Sequence, residues 1–400
     1  MPVARAKLPT SPTFHLRPFA VYARFISDAP DKALDPVRSR GQPMATMNIG
    51  LEAPLHKSMR SLILPVILCG LTLPLYGQYS ARQEGDVVRL EDAKNQTVVS
   101  VMPARGNNAF EMTVKGKNVL YFPFATAAEF KSRGAFSGIP FLGPWANRLD
   151  EMAFYANGKK YLLNAGLGNV HGPIPMHGFL TTAPWEVVTV NADQHSAWVT
   201  SRLEVYREPD WMAQFPFAHT LEMTYRLQDG TLEVALKLNN LSADPMPVAI
   251  GFHPYFQIND APRDAWTFSV GAKTHWIGLR NLPTGATEPI EKVIPHPAGG
   301  SLKGLRLDDV FGDLIRDSSG RATLWVQGKS ERVEVTFGPK YRAAVVYFPA
   351  GPDQNYICFE PMAGITDSMN LAQKRLYHEL QYLAPDRVWE ESFWIKPSGF

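Results

Sequence analysis

Two side chains capable of acid–base chemistry stand in unusual settings. Glu360 closes the apolar run Ile357-Cys358-Phe359 and is followed at once by Pro361. A carboxyl group buried among aromatics loses hydration of its charged form, so its pKa rises toward neutrality and it becomes a useful base. His253 lies inside Gly251-Phe252-His253-Pro254-Tyr255-Phe256, between aromatic rings and on a backbone stiffened by proline. An imidazole held there can exchange a proton near neutral pH while a ring-shaped ligand stacks on its neighbours. A histidine packed in an aromatic core and a glutamate facing solvent at a strand end are the plainer alternatives. These two segments by themselves leave both open.

Donors for a hydroxyl-rich ligand come from elsewhere in the chain. Asn147 and Arg148 follow the rigid stretch Gly138-Ile139-Pro140-Phe141-Leu142-Gly143-Pro144-Trp145-Ala146, which would aim an amide and a guanidinium at one fixed target. The competing reading is an arginine tied to a structural carboxylate. His171-Gly172 and Met176-His177-Gly178-Phe179 form a second cluster, and Leu307-Asp308-Asp309-Val310 a third. His171 and His177 lie in a Gly/Pro-rich loop with no Cys, Asp or Glu beside them, which disfavours a metal site. No phosphate loop, His-Glu-x-x-His or Gly-x-Ser-x-Gly is present, and in Gly166-Leu167-Gly168 a histidine occupies the third glycine's place. Phosphoryl transfer, nicotinamide chemistry and serine hydrolysis thus lose their usual sequence support. The formal net charge of +2 on 400 residues makes no electrostatic case for nucleic acid, and two cysteines are too few for a disulfide framework.

The elements that must position these groups read as strands. Leu232, Val234, Leu236 and Leu238 alternate within Thr231 to Leu238, as do Val333, Val335 and Phe337 within Arg332 to Phe337. Shorter runs rich in β-branched and aromatic residues cover Ala197 to Tyr206, His219 to Leu227, Thr323 to Gln327, Ala343 to Phe348 and Tyr356 to Phe359. Asn157-Gly158, Gln228-Asp229-Gly230, Ser318-Ser319-Gly320 and Pro349-Ala350-Gly351-Pro352 supply turns. Only Asp367 to Leu383 reads as helical. With no linker or composition break after Val87, the expectation is one all-β, mostly antiparallel domain of the sandwich type.

Taken in order, the polar clusters resemble the aldose 1-epimerase (galactose mutarotase) family from about Val87 to the end. Pro144-Trp145-Ala146-Asn147-Arg148 resembles the family's Asn-Arg motif, and His177-Gly178-Phe179 with Pro184-Trp185-Glu186 its His-Gly-Phe block. Gly251 to Phe256 resembles the catalytic-histidine block and Phe359-Glu360-Pro361-Met362 the catalytic-glutamate block. The close of the chain, Leu383-Ala384-Pro385-Asp386-Arg387-Val388-Trp389-Glu390, is similar as well. The resemblance implies a large, mostly antiparallel β-supersandwich. It further implies Glu360 as the general base on the anomeric hydroxyl and His253 as the general acid on the ring oxygen, with no metal or organic cofactor because both steps are proton transfers. Asn147, Arg148, His177 and Asp308 would hold sugar oxygens, and aromatics such as Trp145 would offer a stacking face. His171 competes with His177, and Asp309 with Asp308. A hexose-6-phosphate epimerase of the same superfamily would need extra arginines at the sugar's far end. A non-catalytic sugar-binding sandwich would need neither His253 nor Glu360. A glycoside hydrolase with Glu360 and Asp308 as its carboxylates would leave the histidine without a task.

The N-terminal region reads differently. Residues 1–58 carry scattered prolines, more basic than acidic residues and no periodic apolar face, which implies a disordered extension or a mis-assigned start, with translation beginning at Met47 or Met59. Residues 59–80 have the layout of a secretory signal peptide: Met59-Arg60, an apolar run from Leu62 to Leu75, then small or polar residues. The run is short for a membrane span. The expected organisation is therefore an exported domain over 81–400, periplasmic or secreted, without stable membrane insertion, or a cytoplasmic one where the signal-like segment is not used. Its expected partner is a small sugar, and its expected state a monomer or homodimer.

Overall fold

The computed structural model describes residues 77–133, 136–164, 166, 170–171, 174–349 and 354–400, with only the backbone described at Val170 and His171. The extension over 1–58 and nearly all of the signal-like segment lie outside these residues. The first strand, Tyr79–Glu84, begins ahead of both Val87 and the expected boundary at 81. Its mostly polar, partly exposed sequence hides it from an alternation test, and Tyr79 anchors it by burying its ring.

Strand alternation builds the core. In the hairpin of His219–Gln228 and Thr231–Asn240, every second residue is buried, and Gln228 faces Thr231 across a two-residue turn. Both turn residues, Asp229 and Gly230, have φ near +50 to +70° (47° and 70°), as the right-handed twist of such hairpins requires. This hairpin lies within a nine-stranded sheet that also contains Ala197–Glu204, Val388–Ser398, Arg332–Phe337 and Ala322–Gln327. A second sheet of eight strands contains Leu307–Leu314, Ala343–Phe348, Ile357–Met362 and Gly251–Phe252. A five-stranded meander, Tyr79–Glu84 through Lys117–Asn118, and three two-stranded ribbons complete the β structure. Every ladder among the named strands is antiparallel, as between Leu307–Leu314 and Ala343–Phe348 or Ala343–Phe348 and Ile357–Met362.

One face of the eight-stranded sheet and one face of the nine-stranded sheet share a single apolar core. Val346, Ile357 and Phe359 come from the first, Leu236, Val335 and Phe393 from the second, and all are fully buried. The Phe252 and Phe393 rings meet across it at 4.9 Å. Each such side chain contributes roughly 1.5–3 kcal/mol by leaving water. Ile357–Met362 is buried on both faces, so its second face can carry polar groups only in a protected environment.

The helical expectation needs correction. Within Asp367 to Leu383 only Ser368–Gln373 is helical; Arg375 takes a left-handed φ of 60°, and Gln381–Leu383 is a strand paired with Met246–Val248. Two short helices, Ala127–Arg133 and Pro209–Gln214, were not expected; each is a turn or two long, too short for a visible period.

Beyond Tyr255–Phe256 the chain is pinned by Asp260. Its carboxylate accepts backbone N–H bonds from Lys329 (3.1 Å), Ser330 (2.6 Å) and Glu331 (2.9 Å). These bonds outweigh the cost of burial and hold its pKa down at about 2. Because the folded pKa is depressed, the stabilisation is present above the unfolded value of about 4 and is lost as pH falls toward 2. Asp260→Ala should lower the melting temperature at pH 7, and the gap from wild type should narrow across that acid window. Thermal melts at pH 7 and near pH 2.5 check this; a gap independent of pH would remove the carboxylate from the account.

Candidate active site

Period-two alternation along three neighbouring strands decides which side chains meet. Asp308 is paired with Tyr347, and Tyr347 with Cys358, while Glu360 stands two residues further along the same strand. Asp308, Tyr347, Cys358 and Glu360 therefore share the face turned away from the main core. Tyr255, opposite Cys358, brings the neighbouring strand to the same place. His253 sits between the two short strands of its segment. Its N–H bonds the Pro140 carbonyl (2.9 Å), and the Tyr255 N–H bonds the Gly138 carbonyl (2.9 Å). That ladder places the proline-rich segment before Asn147 beside the imidazole.

At the centre, His253 Nε2 is 3.2 Å from Glu360 Oε1, with 8% and 1% of their side chains exposed. Burial pushes the Glu360 pKa well up, and nearby Asp308 adds to the rise, while the Arg148 charge opposes it. Burial likewise pushes the His253 pKa down, helped by Arg148. Both shifts have one physical cause: neither charge is welcome out of water. The couple holds one proton over a broad span of pH, either on the carboxyl or on the imidazole. Glu360 Oε2 and His253 Nδ1 have no hydrogen-bond partner among the described residues.

A cavity with about 550 Å³ of atom-free space, part of it open to solvent, is lined by this pair together with Asn147, Arg148, His177 and Asp308. Arg148 Nη2 bonds Asp308 Oδ2 at 3.0 Å, and Arg148 Nη1 bonds Asn147 Oδ1 at 3.0 Å. His177 and Asn147 clasp each other: the His177 N–H donates to the Asn147 carbonyl (2.8 Å), and the Asn147 N–H donates to His177 Nδ1 (3.2 Å). With Nδ1 accepting, the proton of a neutral His177 ring lies on Nε2. Both residues adopt left-handed φ, 57° for Asn147 and 63° for His177.

All six expected site residues thus meet around one cavity. The two sequence ambiguities divide differently. Asp309 points to the opposite face and bonds His275 Nε2 at 3.1 Å, so Asp308 is the aspartate at the cavity. His177 lines the cavity, whereas the His171 side chain lies outside the described residues. Trp145 does not offer a stacking face. It is 1% exposed, belongs to the main core and meets Phe179 edge-on at 5.8 Å, because Trp145 and Asn147 do not share an orientation in this irregular segment. The aromatic surfaces come instead from Phe136, Tyr255 and Tyr347. Tyr255 stacks on His253 at 4.6 Å with 10° between planes. Phe136 and Tyr347 were not anticipated. Tyr347 carried one weak signal, a phenol in an otherwise aliphatic and Phe-lined strand; Phe136 carried none.

Comparison with known proteins agrees with this architecture. The model of the family described as aldose 1-epimerase matches residues 86–396. A galactose mutarotase-like protein from Clostridium acetobutylicum is 21% identical with a TM-score of 0.71, covering 80% of this chain and 98% of that one. Galactose 1-epimerase from Lactobacillus acidophilus is 16% identical with a TM-score of 0.63, covering 80% and 98%. An aldose epimerase homologue from C. elegans is 19% identical with a TM-score of 0.61, covering 76% and 97%.

The turn that presents His177 depends on the absence of a side chain at Gly178. Its φ is +63°, and a Cβ there would lie 1.9 Å from the Gly143 carbonyl oxygen, which accepts bonds from Phe179 and Leu180. Gly158 has a similar φ of +71° but nothing within 4 Å. Gly158→Ala should cost only the left-handed strain of roughly 1–2 kcal/mol. Gly178→Ala should cost clearly more and abolish ligand binding. Denaturant unfolding of the two variants side by side decides it; equal losses would show that the close approach to Gly143 does not matter.

Proposed function

From the premise that this chain belongs to the aldose 1-epimerase family, we propose that it interconverts the α and β anomers of a free aldose such as galactose or glucose. The carrying observation is the buried His253–Glu360 couple, 3.2 Å apart on the wall of a cavity with polar donors and acceptors. In the reaction, Glu360 as carboxylate takes the proton from the anomeric hydroxyl. Its electrons form the C1 carbonyl as the C1–O5 bond breaks, and His253 protonates O5. Rotation about C1–C2 presents the other carbonyl face. O5 attacks it, His253 recovers its proton from O5, and Glu360 returns one to the carbonyl oxygen. Each step is a proton transfer coupled to one C–O bond, of the kind worth about 100- to 10,000-fold.

The remaining lining residues hold the ring in register. Arg148 and His177 donate to sugar oxygens, Asn147 fixes both of them, and Asp308 accepts from a ring hydroxyl. Among the described lining residues Arg148 is the one Lys or Arg, and it is engaged by Asp308. A phosphorylated hexose finds no spare cation there, which favours the free sugar. Export belongs to the same reading, carried by the signal-like segment at 59–80. N-terminal sequencing of the mature protein tests it, and a chain still beginning at or before Met59 would overturn export.

Polarimetry of a freshly dissolved pure anomer, with and without protein, tests the activity. Wild type should accelerate the drift to equilibrium, and Glu360→Gln and His253→Ala should each slow it by at least about 100-fold while remaining folded. Near-wild-type rates in either variant would strike that residue from the mechanism. Because burial raises the glutamate's pKa and lowers the histidine's, the singly protonated couple persists through neutrality. The pH profile of kcat/KM should be flat there, falling in acid when a second proton binds and in alkali when the last one leaves. A narrow bell centred near pH 6.5 would contradict that assignment.

A further inference from the structure

Asp308 is held by more than Arg148. Two strands, Ala272–Leu279 and Leu282–Pro289, form a hairpin on the edge of the eight-stranded sheet, closed by the Leu279–Leu282 pair and the two-residue turn Arg280-Asn281. At the tip of this hairpin, Asn281 Nδ2 donates to Asp308 Oδ2 at 2.5 Å. Arg148 Nη2 donates to that same oxygen, at 3.0 Å. Two donors on Oδ2 orient the carboxylate and leave its other oxygen to accept from a ligand.

The same hairpin grips the following residue from the opposite face. His275, in its first strand, is 3.1 Å from Asp309 Oδ1 through Nε2 and 3.0 Å from Glu288 Oε1, in its second strand, through Nδ1. Asp309 Oδ2 in turn accepts the Asp308 N–H at 3.2 Å. One hairpin thus fixes both consecutive aspartates, the first at its side chain from the tip and the second at its side chain from the base.

We propose that Asn281 is a positioning residue of the sugar site, setting the direction in which Asp308 accepts a ring hydroxyl and so the preference among aldoses that differ at that hydroxyl. This rests on the mutarotase reading for its substrate class. The amide never touches the reacting C1 or O5 in this account; it acts through Asp308. Its removal therefore weakens ground-state and transition-state binding together, which raises KM more than it lowers kcat.

The backbone supplies a clean substitution. Arg280 and Asn281 have φ of 54° and 62°, the pair of left-handed values that a two-residue hairpin turn demands. Glycine adopts that conformation without strain, so Asn281→Gly keeps the turn and deletes only the amide. Asn281→Asp replaces the donor with a second carboxylate beside Asp308, which should repel it.

The experiment measures mutarotation kinetics and calorimetric binding for wild type and both variants, using D-galactose, D-glucose and their singly deoxygenated analogues. Wild type should discriminate sharply against one deoxy analogue. Asn281→Gly should raise KM and Kd for the parent sugar about tenfold, the scale of one charge-assisted hydrogen bond, with a much smaller change in kcat, and should flatten that discrimination. Asn281→Asp should be worse than Asn281→Gly at neutral pH and recover toward it on acidification, which a purely structural role would not produce. Wild-type affinity and an unchanged deoxy-sugar profile in Asn281→Gly would overturn the inference. A wild type that binds sugars without accelerating mutarotation would sink the catalytic reading instead, while the Kd comparison would still decide the role of Asn281.

Discussion

Burying a carboxyl group and an imidazole against each other constrains everything around them. Each charge alone would cost several kcal/mol away from water, and the penalty is limited here because the couple can share one proton. Desolvation drives the Glu360 and His253 pKa values in opposite senses, which keeps the couple at a single proton through neutrality. Glu360 Oε2 and His253 Nδ1 are buried without a partner among the described residues, a standing cost that the fold carries at this site.

Such a couple needs a rigid floor, and the two-layered sheet supplies it. Ile357–Met362 turns Ile357 and Phe359 into the main core and Cys358 and Glu360 to the opposite face, where Glu360 lines the cavity. Sliding this strand by one residue would carry Phe359 to the cavity and Glu360 into the apolar layer, so the core holds the register of the site. On the imidazole's side, the stacked Tyr255 ring and the ladder to Gly138 and Pro140 do the same work. The polar rim is built otherwise, from turns and loop ends: the left-handed residues Asn147 and His177, the Gly178 contact with Gly143, and the hairpin tip at Asn281. Glu360 and Asp308 stand on strands, whereas His253, Asn147, His177 and Asn281 stand on turns and connections, where side chains can change with least effect on the sheets.

Much was legible in local pattern. Alternation marked Thr231–Asn240 and Arg332–Phe337 to within a residue or two, because a half-buried strand writes its period directly into the sequence, while composition marked Ala343–Phe348, which is buried on both faces and shows no period. Short polar strands and helices of a single turn or two leave no such trace, hence Tyr79–Glu84 and Pro209–Gln214 went unread. Trp145 misled for a related reason. Its proximity in sequence to Asn147 and Arg148 said nothing about orientation in an irregular, proline-punctuated segment, and the ring turned into the core.

By itself, then, the sequence determined the all-β class and the identity of the groups that could do chemistry. Residue type, strand period and motif order are local properties that need no third dimension. The tertiary structure decided which of those groups share a space. His253 and Glu360 are more than a hundred residues apart, and only sheet register brings them to 3.2 Å. Asp308 and Asp309 are chemically alike neighbours, and only the side of the strand each occupies sends one to the cavity and the other to His275. Phe136 and Asn281 carry no mark of their position in the sequence and Tyr347 only a weak one, because a residue's place at a site is a relation between distant segments, fixed by pairing and packing.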